Sequence, residues 1–217
     1  MGLSEMLSSG NSSVRLKAAL AVGTRAHAGV ADVLVARCAV EPDFFVRDML
    51  TWALTRLPQD VTVPRLLTEL RSPVAQARSQ ALHTLSKIGD PETWPAITPA
   101  LLHDADDEVA RTAWRTAVAL VPADEAQALA GELAAEFGRG ERDVWRSLSR
   151  SLVTLGDEAE PAIALATTHP DPAVRAHARA TARLLHDPEA AFTVTVEEEA
   201  RSGVPRHDDR EEERADR

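Results

Sequence analysis

Apolar residues recur along this chain in one repeated register. Val46 is followed by Leu50, Leu54 and Leu57, at offsets of four, eight and eleven. At about 100° per residue these positions share one narrow sector of a helix. The register returns at Val14 (Ala18, Val22), Ala77 (Ala81, Leu85, Ile88), Val109 (Ala113, Ala117, Leu120), Val144 (Leu148, Leu152, Leu155) and Val174 (Ala178, Ala182, Leu185). The anchors lie 32, 31, 32, 35 and 30 residues apart. Partner helices are predicted between them over 29–40, 61–71, 92–103, 124–138 and 158–169, with Leu3, Met6 and Leu7 supplying a short first one. A period of this length means stacked two-helix units, each hiding one stripe against its neighbours.

Local signals bound these helices. The run Ser8–Ser13 offers caps for the first anchored helix, and Asp43 caps the second. Pro64 suits the first turn of a partner helix, and Pro95 with Pro99 interrupts the next one. The acidic run Asp104–Glu108 precedes the fourth anchored helix, where acids complement the macrodipole. Gly138-Arg139-Gly140 marks the longest connection, and Asp171-Pro172 opens the last helix.

An Arg directly follows the anchor at Val14-Arg15, Val46-Arg47 and Val174-Arg175. Gly-Asp follows the helix at Leu155-Gly156-Asp157 and Ile88-Gly89-Asp90-Pro91. In these features residues 10–188 resemble HEAT or HEAT-like (armadillo-type) repeats. The resemblance implies an all-α, right-handed α-solenoid of about six two-helix repeats over residues 1–192, and it is nearly silent on function. Three copies depart from the pattern: Ala77 replaces Val, and the Arg moves to the second position in Arg111 and Arg146.

Residues 197–217 hold nine acids and five Arg. Residues 193–217 are therefore expected to form a disordered acidic tail, either solvating or docking as an arm. Phe192–Val196 is a short β-like run that caps the last repeat or stands free. The single Cys38 excludes an internal disulfide framework and reads as core filler. No stretch reaches the roughly 18 apolar residues of a membrane span. No secretory-signal pattern appears, so the cytoplasm is the expected location and no membrane partner is expected.

The net charge of −10 argues against a simple nucleic-acid binder. Its distribution is uneven. The six anchored helices carry 13 Lys plus Arg and one acid, Asp48. In HEAT repeats the second helix of each pair lines the concave face, so the resemblance implies a basic concave surface on an acidic protein. The Arg after each anchor (Arg15, Arg47, Arg78, Arg175) is expected to pair with an acid of a neighbouring turn as a structural ladder. The second and sixth positions after the anchor point away from the core. They give Leu16 and Leu20, Asp48 and Trp52, Ser79 and His83, Arg111 and Arg115, Arg146 and Arg150, Ala176 and Ala180. Trp52, His83, Arg111, Arg115, Arg146 and Arg150 are thus the candidate partner-binding residues, since exposed Trp beside Arg is hot-spot composition. Scattered surface residues have the same look. Trp114, Trp145 and Trp94 are expected to pack.

No phosphate loop, nucleophile motif, metal-ligand spacing or cofactor motif appears. His-Glu pairs, which mark iron-binding HEAT-like hydroxylases, are missing. The expectation is a non-catalytic protein–protein interaction scaffold, with no cofactor and no metal, gripping an acidic or extended segment of another protein. In one variant the acidic tail fills the groove until displaced. Nucleic acid stands second: HEAT-like DNA glycosylases of alkylated bases resemble the chain in length and cleft, with Asp48 and Trp52 one turn apart. The HEAT-like bilin lyase subunits are a third reading.

Overall fold

A computed structural model describes residues 2–187. The expected disordered tail, the β-like run and the boundary at residue 192 lie outside them. Twelve α-helices follow one another among the described residues: α1 (Leu3–Leu7), α2 (Ser12–Arg25), α3 (Ala31–Cys38), α4 (Phe44–Thr55), α5 (Gln59–Glu69), α6 (Ala75–Ile88), α7 (Pro99–Leu102), α8 (Asp107–Leu120), α9 (Ala126–Ala134), α10 (Arg142–Thr154), α11 (Glu160–Ala166) and α12 (Pro172–His186). Short 3-10 turns at Ala28–Val30, Pro91–Ala96, Ala123–Glu125 and Gly156–Ala159 lead into the partner helices. The fold is all-helical, and α2, α4, α6, α8, α10 and α12 are the six anchored helices.

The chain forms two compact units. One comprises Met1–Glu136, and the other begins at Phe137. In the first, α2, α4, α6 and α8 pack side by side in chain order, with α3 and α5 behind them. In the second, α10 and α11 pack on α12. The boundary falls at the connection flagged by its glycines, where Gly138 and Gly140 take φ of +84° and +66°. Only glycine adopts that region without strain.

The caps follow the sequence. Asn11 accepts from the Ser13 N–H at 2.9 Å and Asp43 from Val46 at 3.1 Å. Asp106 accepts from Glu108 and Val109, and Asp171 from Ala173. Anchors Val46, Ala77, Val109 and Val144 are buried with their stripe, except that its last residues Ile88 and Leu155 are half-buried, as are the anchors Val14 and Val174. Cys38 is buried, and that burial pushes its thiol up to about 12, which makes it unreactive filler.

The Arg ladder has a regular geometry. Arg15, Arg47, Arg78 and Arg175 each donate from Nη1 to the carbonyl six residues earlier, at 2.7, 3.0, 2.8 and 2.6 Å. Two of them also hold an acid 26 residues ahead by two bonds each: Arg15 grips Glu41 and Arg78 grips Asp104. Glu41 is fully buried and also takes Arg37 and the Asp43 N–H. Burial alone would raise its carboxyl, but the bonds from Arg15, Asp43 and Arg37 hold it below the usual value.

The structure corrects several expectations. The span read as one partner helix over 92–103 is the 3-10 turn Pro91–Ala96 and the single turn of α7; the interruption expected at Pro95 and Pro99 is there, because both lack the N–H that a continuous helix needs. Pro64 lies in the body of α5, which starts at Gln59 rather than 61. Asp60, whose carbonyl thereby loses its intrahelical donor, is exposed. Trp94 is half-buried on the 3-10 turn, not core, and its Nε1–H donates to Glu125 at 3.0 Å. Ser79, Ala176 and Ala180 are buried rather than outward-facing.

For Ser79 the cause is clear. Adjacent anchored helices meet along a seam of hydroxyls: Thr51 with Thr84 (3.4 Å), Ser79 with Thr112 (3.2 Å), Thr116 with the Leu82 carbonyl (3.1 Å) and Ser149 with Thr181 (2.7 Å). Small side chains let the helices approach, so part of the outward flank is covered by the next helix.

Candidate functional site

The same seam fixes the direction of the helices. Residues 79 with 112 and 82 with 116 meet in the same order, so α6 and α8 run parallel. Gln76, near the start of α6, donates to the Glu41 carbonyl just before α4, while Thr84 meets Thr51 further along. α4 therefore runs parallel to both. Three parallel helices expose a shared face, and on it lies a groove of about 550 Å³.

Each helix supplies that lining from one stripe. α4 contributes Phe44, Arg47 and Asp48; α6 contributes Ser79, Gln80, His83, Ser86 and Lys87; α8 contributes Glu108, Thr112, Arg115 and Ala119. Spacings of three and four keep each set on one helix face. Phe44 and Phe45 are 65% and 71% exposed and meet edge-to-face with centroids 5.6 Å apart. The Arg47 guanidinium carbon sits 6.0 Å from the Phe44 ring centroid.

The groove's charges are mixed. Arg47 donates to the Glu41 and Pro42 carbonyls. Arg115 donates to Thr112 Oγ1 at 2.9 Å and stands 3.8 Å from Glu108. Neither Asp48 nor Lys87 makes a side-chain hydrogen bond or ion pair among the described residues. Burial first, then Lys87 and Arg115, push His83 below its usual value, against the opposing pull of Asp48 and Glu108. Burial also lowers Arg115, with Arg111 adding to the effect against Glu108.

Of the sequence-predicted residues, the structure brings His83 and Arg115 together in this groove. Trp52, 38% exposed, is on the same helix as Asp48 but does not line it. Its ring covers Gly23 of α2, where a Cβ would come within 2.4 Å of the ring. Arg111 is half-buried, with Nε unpartnered and Nη1 3.7 Å from Glu108. Arg146 and Arg150 belong to the second unit and are exposed.

Phe44, Lys87 and Glu108 were missed by the sixth-position rule. One signal was available for Phe44: the anchored helices open on Ser12, Phe44, Ala75, Asp107, Arg142 and Pro172, and only α4 opens on an aromatic pair.

The second unit centres on His177, which is wholly buried. Its ring stacks on Trp145 (centroids 4.6 Å apart, planes 4° apart) and meets Phe137 edge-on. Nδ1 accepts from the Gly138 N–H at 3.2 Å, which leaves Nε2–H to donate to the Trp145 carbonyl at 3.0 Å. Burial lowers this imidazole to about 4, with the Trp145 carbonyl opposing, so it is neutral. This is packing, as is Trp114, fully buried with Nε1–H on the Leu102 carbonyl at 2.8 Å.

No helix among the described residues is long and apolar enough to cross a membrane. No group of three His, Cys, Asp or Glu side chains among them converges as metal ligands would.

Residues 46–119 match a family model described as HEAT repeats. That span covers all of α4 but its first two residues, most of α8 and everything between, and so most of the groove lining but not Phe44. No curated protein matches the sequence. Among solved structures the chain is similar to an engineered protein (20% identity, 85% of this chain and 95% of that chain, TM-score 0.46). It is also similar to human deoxyhypusine hydroxylase in complex with glycerol (15% identity, 92% of each chain, TM-score 0.45). A third is the complex of CpcE and CpcF of phycocyanin lyase from Nostoc sp. (17% identity, 93% of each chain, TM-score 0.38).

Proposed function

We propose that this chain is a non-catalytic interaction module that holds an extended segment of another protein in the groove across α4, α6 and α8. The observation that carries this reading is the groove itself. It is a cleft of about 550 Å³ lying across three helices, with the highly exposed Phe44 in its lining and Phe45 packed beside that ring. Exposed aromatics beside charged side chains are what binding hot spots are made of. An open cleft spanning several helices suits a strand-like ligand better than a compact small molecule. Trp52, His83, Arg111 and Arg115 are the candidate partner-binding residues of the first unit, and Arg146 and Arg150 are separate candidates in the second.

The groove's mixed charge modifies the simplest expectation of a basic cleft gripping an acidic run. Arg47, Lys87 and Arg115 face Asp48 and Glu108. The DNA-repair alternative gains no support: Asp48 lines the groove, but the Trp52 ring that would stack on a base covers Gly23.

The test is affinity capture from native lysate with wild type and with Phe44→Ala/Arg115→Glu, both exposed positions, assaying eluates for protein and nucleic acid. A protein retained by wild type and lost by a variant of unchanged helical circular dichroism is expected. Equal retention by the folded variant overturns the groove reading. Nucleic acid lost in the variant moves the DNA reading to the front.

A further inference from the structure

We propose that His83, Lys87 and Arg115 form a seat for one carboxylate of the partner segment, an Asp or Glu side chain. This rests on the groove reading above and specifies its ligand. Three observations carry it.

The first is charge balance. The groove lining holds three permanent cations (Arg47, Lys87, Arg115) and two carboxylates (Asp48, Glu108), leaving one positive charge uncompensated. The second is where that charge resides. Arg47 is tied back to carbonyls before α4, and Arg115 is partly balanced by Glu108 at 3.8 Å. Lys87 has no partner among the described residues, and it lies one turn from His83 on the same face of α6. The third is the response of the neighbours. His83 and Arg115 are both held below their usual values, first by burial and then with a nearby cation adding to it, against the opposing pull of Glu108 on each. A seated anion would relieve both.

The flanking acids set the stoichiometry. Asp48 stands on the α4 wall, and on the α8 wall the Glu108 carboxylate lies 3.8 Å from the Arg115 guanidinium. A second ligand carboxylate beside the first would meet them at close range, where like charges repel. The segment recognised therefore carries an isolated acid with neutral, apolar or basic neighbours, one of them placed against Phe44. It is not a polyacidic run. Selection works by exclusion as much as by attraction.

The experiment follows the His83 imidazole resonances at pH 7 in the full chain. The probes are N-acetyl-glutamate amide, a blocked tri-glutamate peptide, N-acetyl-lysine amide and inorganic phosphate. The expected result is a saturable millimolar shift with the glutamate probe, weakened at least tenfold in Lys87→Gln and absent with the lysine probe. Tri-glutamate should bind wild type no more than threefold tighter than the single residue, and should gain at least a further tenfold in Asp48→Asn/Glu108→Gln. Three outcomes overturn the proposal: no saturable shift with the glutamate probe, the same shift in Lys87→Gln, or a shift with phosphate alone. Tri-glutamate binding tenfold tighter to wild type overturns the exclusion and restores the acidic-run reading. The probes read the seat without any partner, so its failure leaves the capture result standing, and the reverse holds too.

Discussion

Single residues show where the backbone and the packing are tightest. Ala26 ends α2 in the left-handed region, with φ 50° and ψ 40°. Gly89 fills the equivalent cap of α6 without strain. A Cβ in that region costs about 1 kcal/mol. Ala26→Gly is therefore expected to raise stability by about 0.5–1 kcal/mol, less the entropy that glycine adds to the unfolded chain. Urea denaturation checks this, and a destabilised variant would contradict it. Gly23 is the opposite case. A Cβ there meets the Trp52 ring at 2.4 Å and the Ala53 Cα at 2.9 Å, and the second contact is backbone that cannot swing away. Gly23→Ala is expected to cost about 1–3 kcal/mol and to shift Trp52 fluorescence as the ring leaves its place. Neither position is legible in the sequence. Ala26 looks like one more alanine, and Gly23 looks like a helix end, because the ring that needs its missing Cβ arrives from a residue 29 positions later.

At the scale of elements, the repeat and its caps were readable because they are local. Four side-chain caps, the two-glycine connection and the Arg after the anchor all express themselves within a few residues. The partners of those arginines are less local. Arg15 and Arg37 converge on Glu41, which has no contact with water. Removing that carboxylate leaves two guanidinium groups near the interior without a counter-charge. Glu41→Ala is expected to cost about 3–5 kcal/mol in chemical denaturation, and a change under 1 kcal/mol would mean the cluster is not holding α2, α3 and α4 together. His177 gives the second unit a pH dependence. Its folded value is about 4 against an ordinary 6.5, so the unfolded chain takes up the proton first. Stability is full above pH 6.5, falls as pH drops, and levels off near 4, for a total of about 3 kcal/mol. Melts between pH 7 and 4 should show this slope in wild type and a shallower one in His177→Gln. Equal slopes would contradict it. Sequence spacing marked this histidine only as one without an adjacent Glu, because its stacking partner Trp145 lies 32 positions earlier.

For the whole molecule, the wheel argument put the candidate residues on one face of the anchored helices and treated that face as uniform. His83 and Arg115 share a groove, whereas Ser79 is buried where α8 closes over it, and Ala176 and Ala180 of α12 are buried too. Trp52 turns to Gly23. The reading by position could not weigh a residue against its neighbour across the seam, and that neighbour decides whether an outward position meets solvent. It also summed charge over helices. The sum came out basic, yet two of those arginines in the first unit, Arg15 and Arg78, are used inside the structure, and Glu108, at the start of α8, stands in the groove. What remains is a cleft of one net positive charge with an aromatic end, in a stretch of HEAT repeats.

The most direct test of that account is site-specific photo-crosslinking in native lysate. A benzoylphenylalanine would replace Phe44 at the groove's end in one protein, and exposed Asp60 on α5 in another. The account predicts a discrete crosslinked protein from position 44, competed by unlabelled chain, and none from position 60. Crosslinks from position 60 with none from position 44 would contradict it.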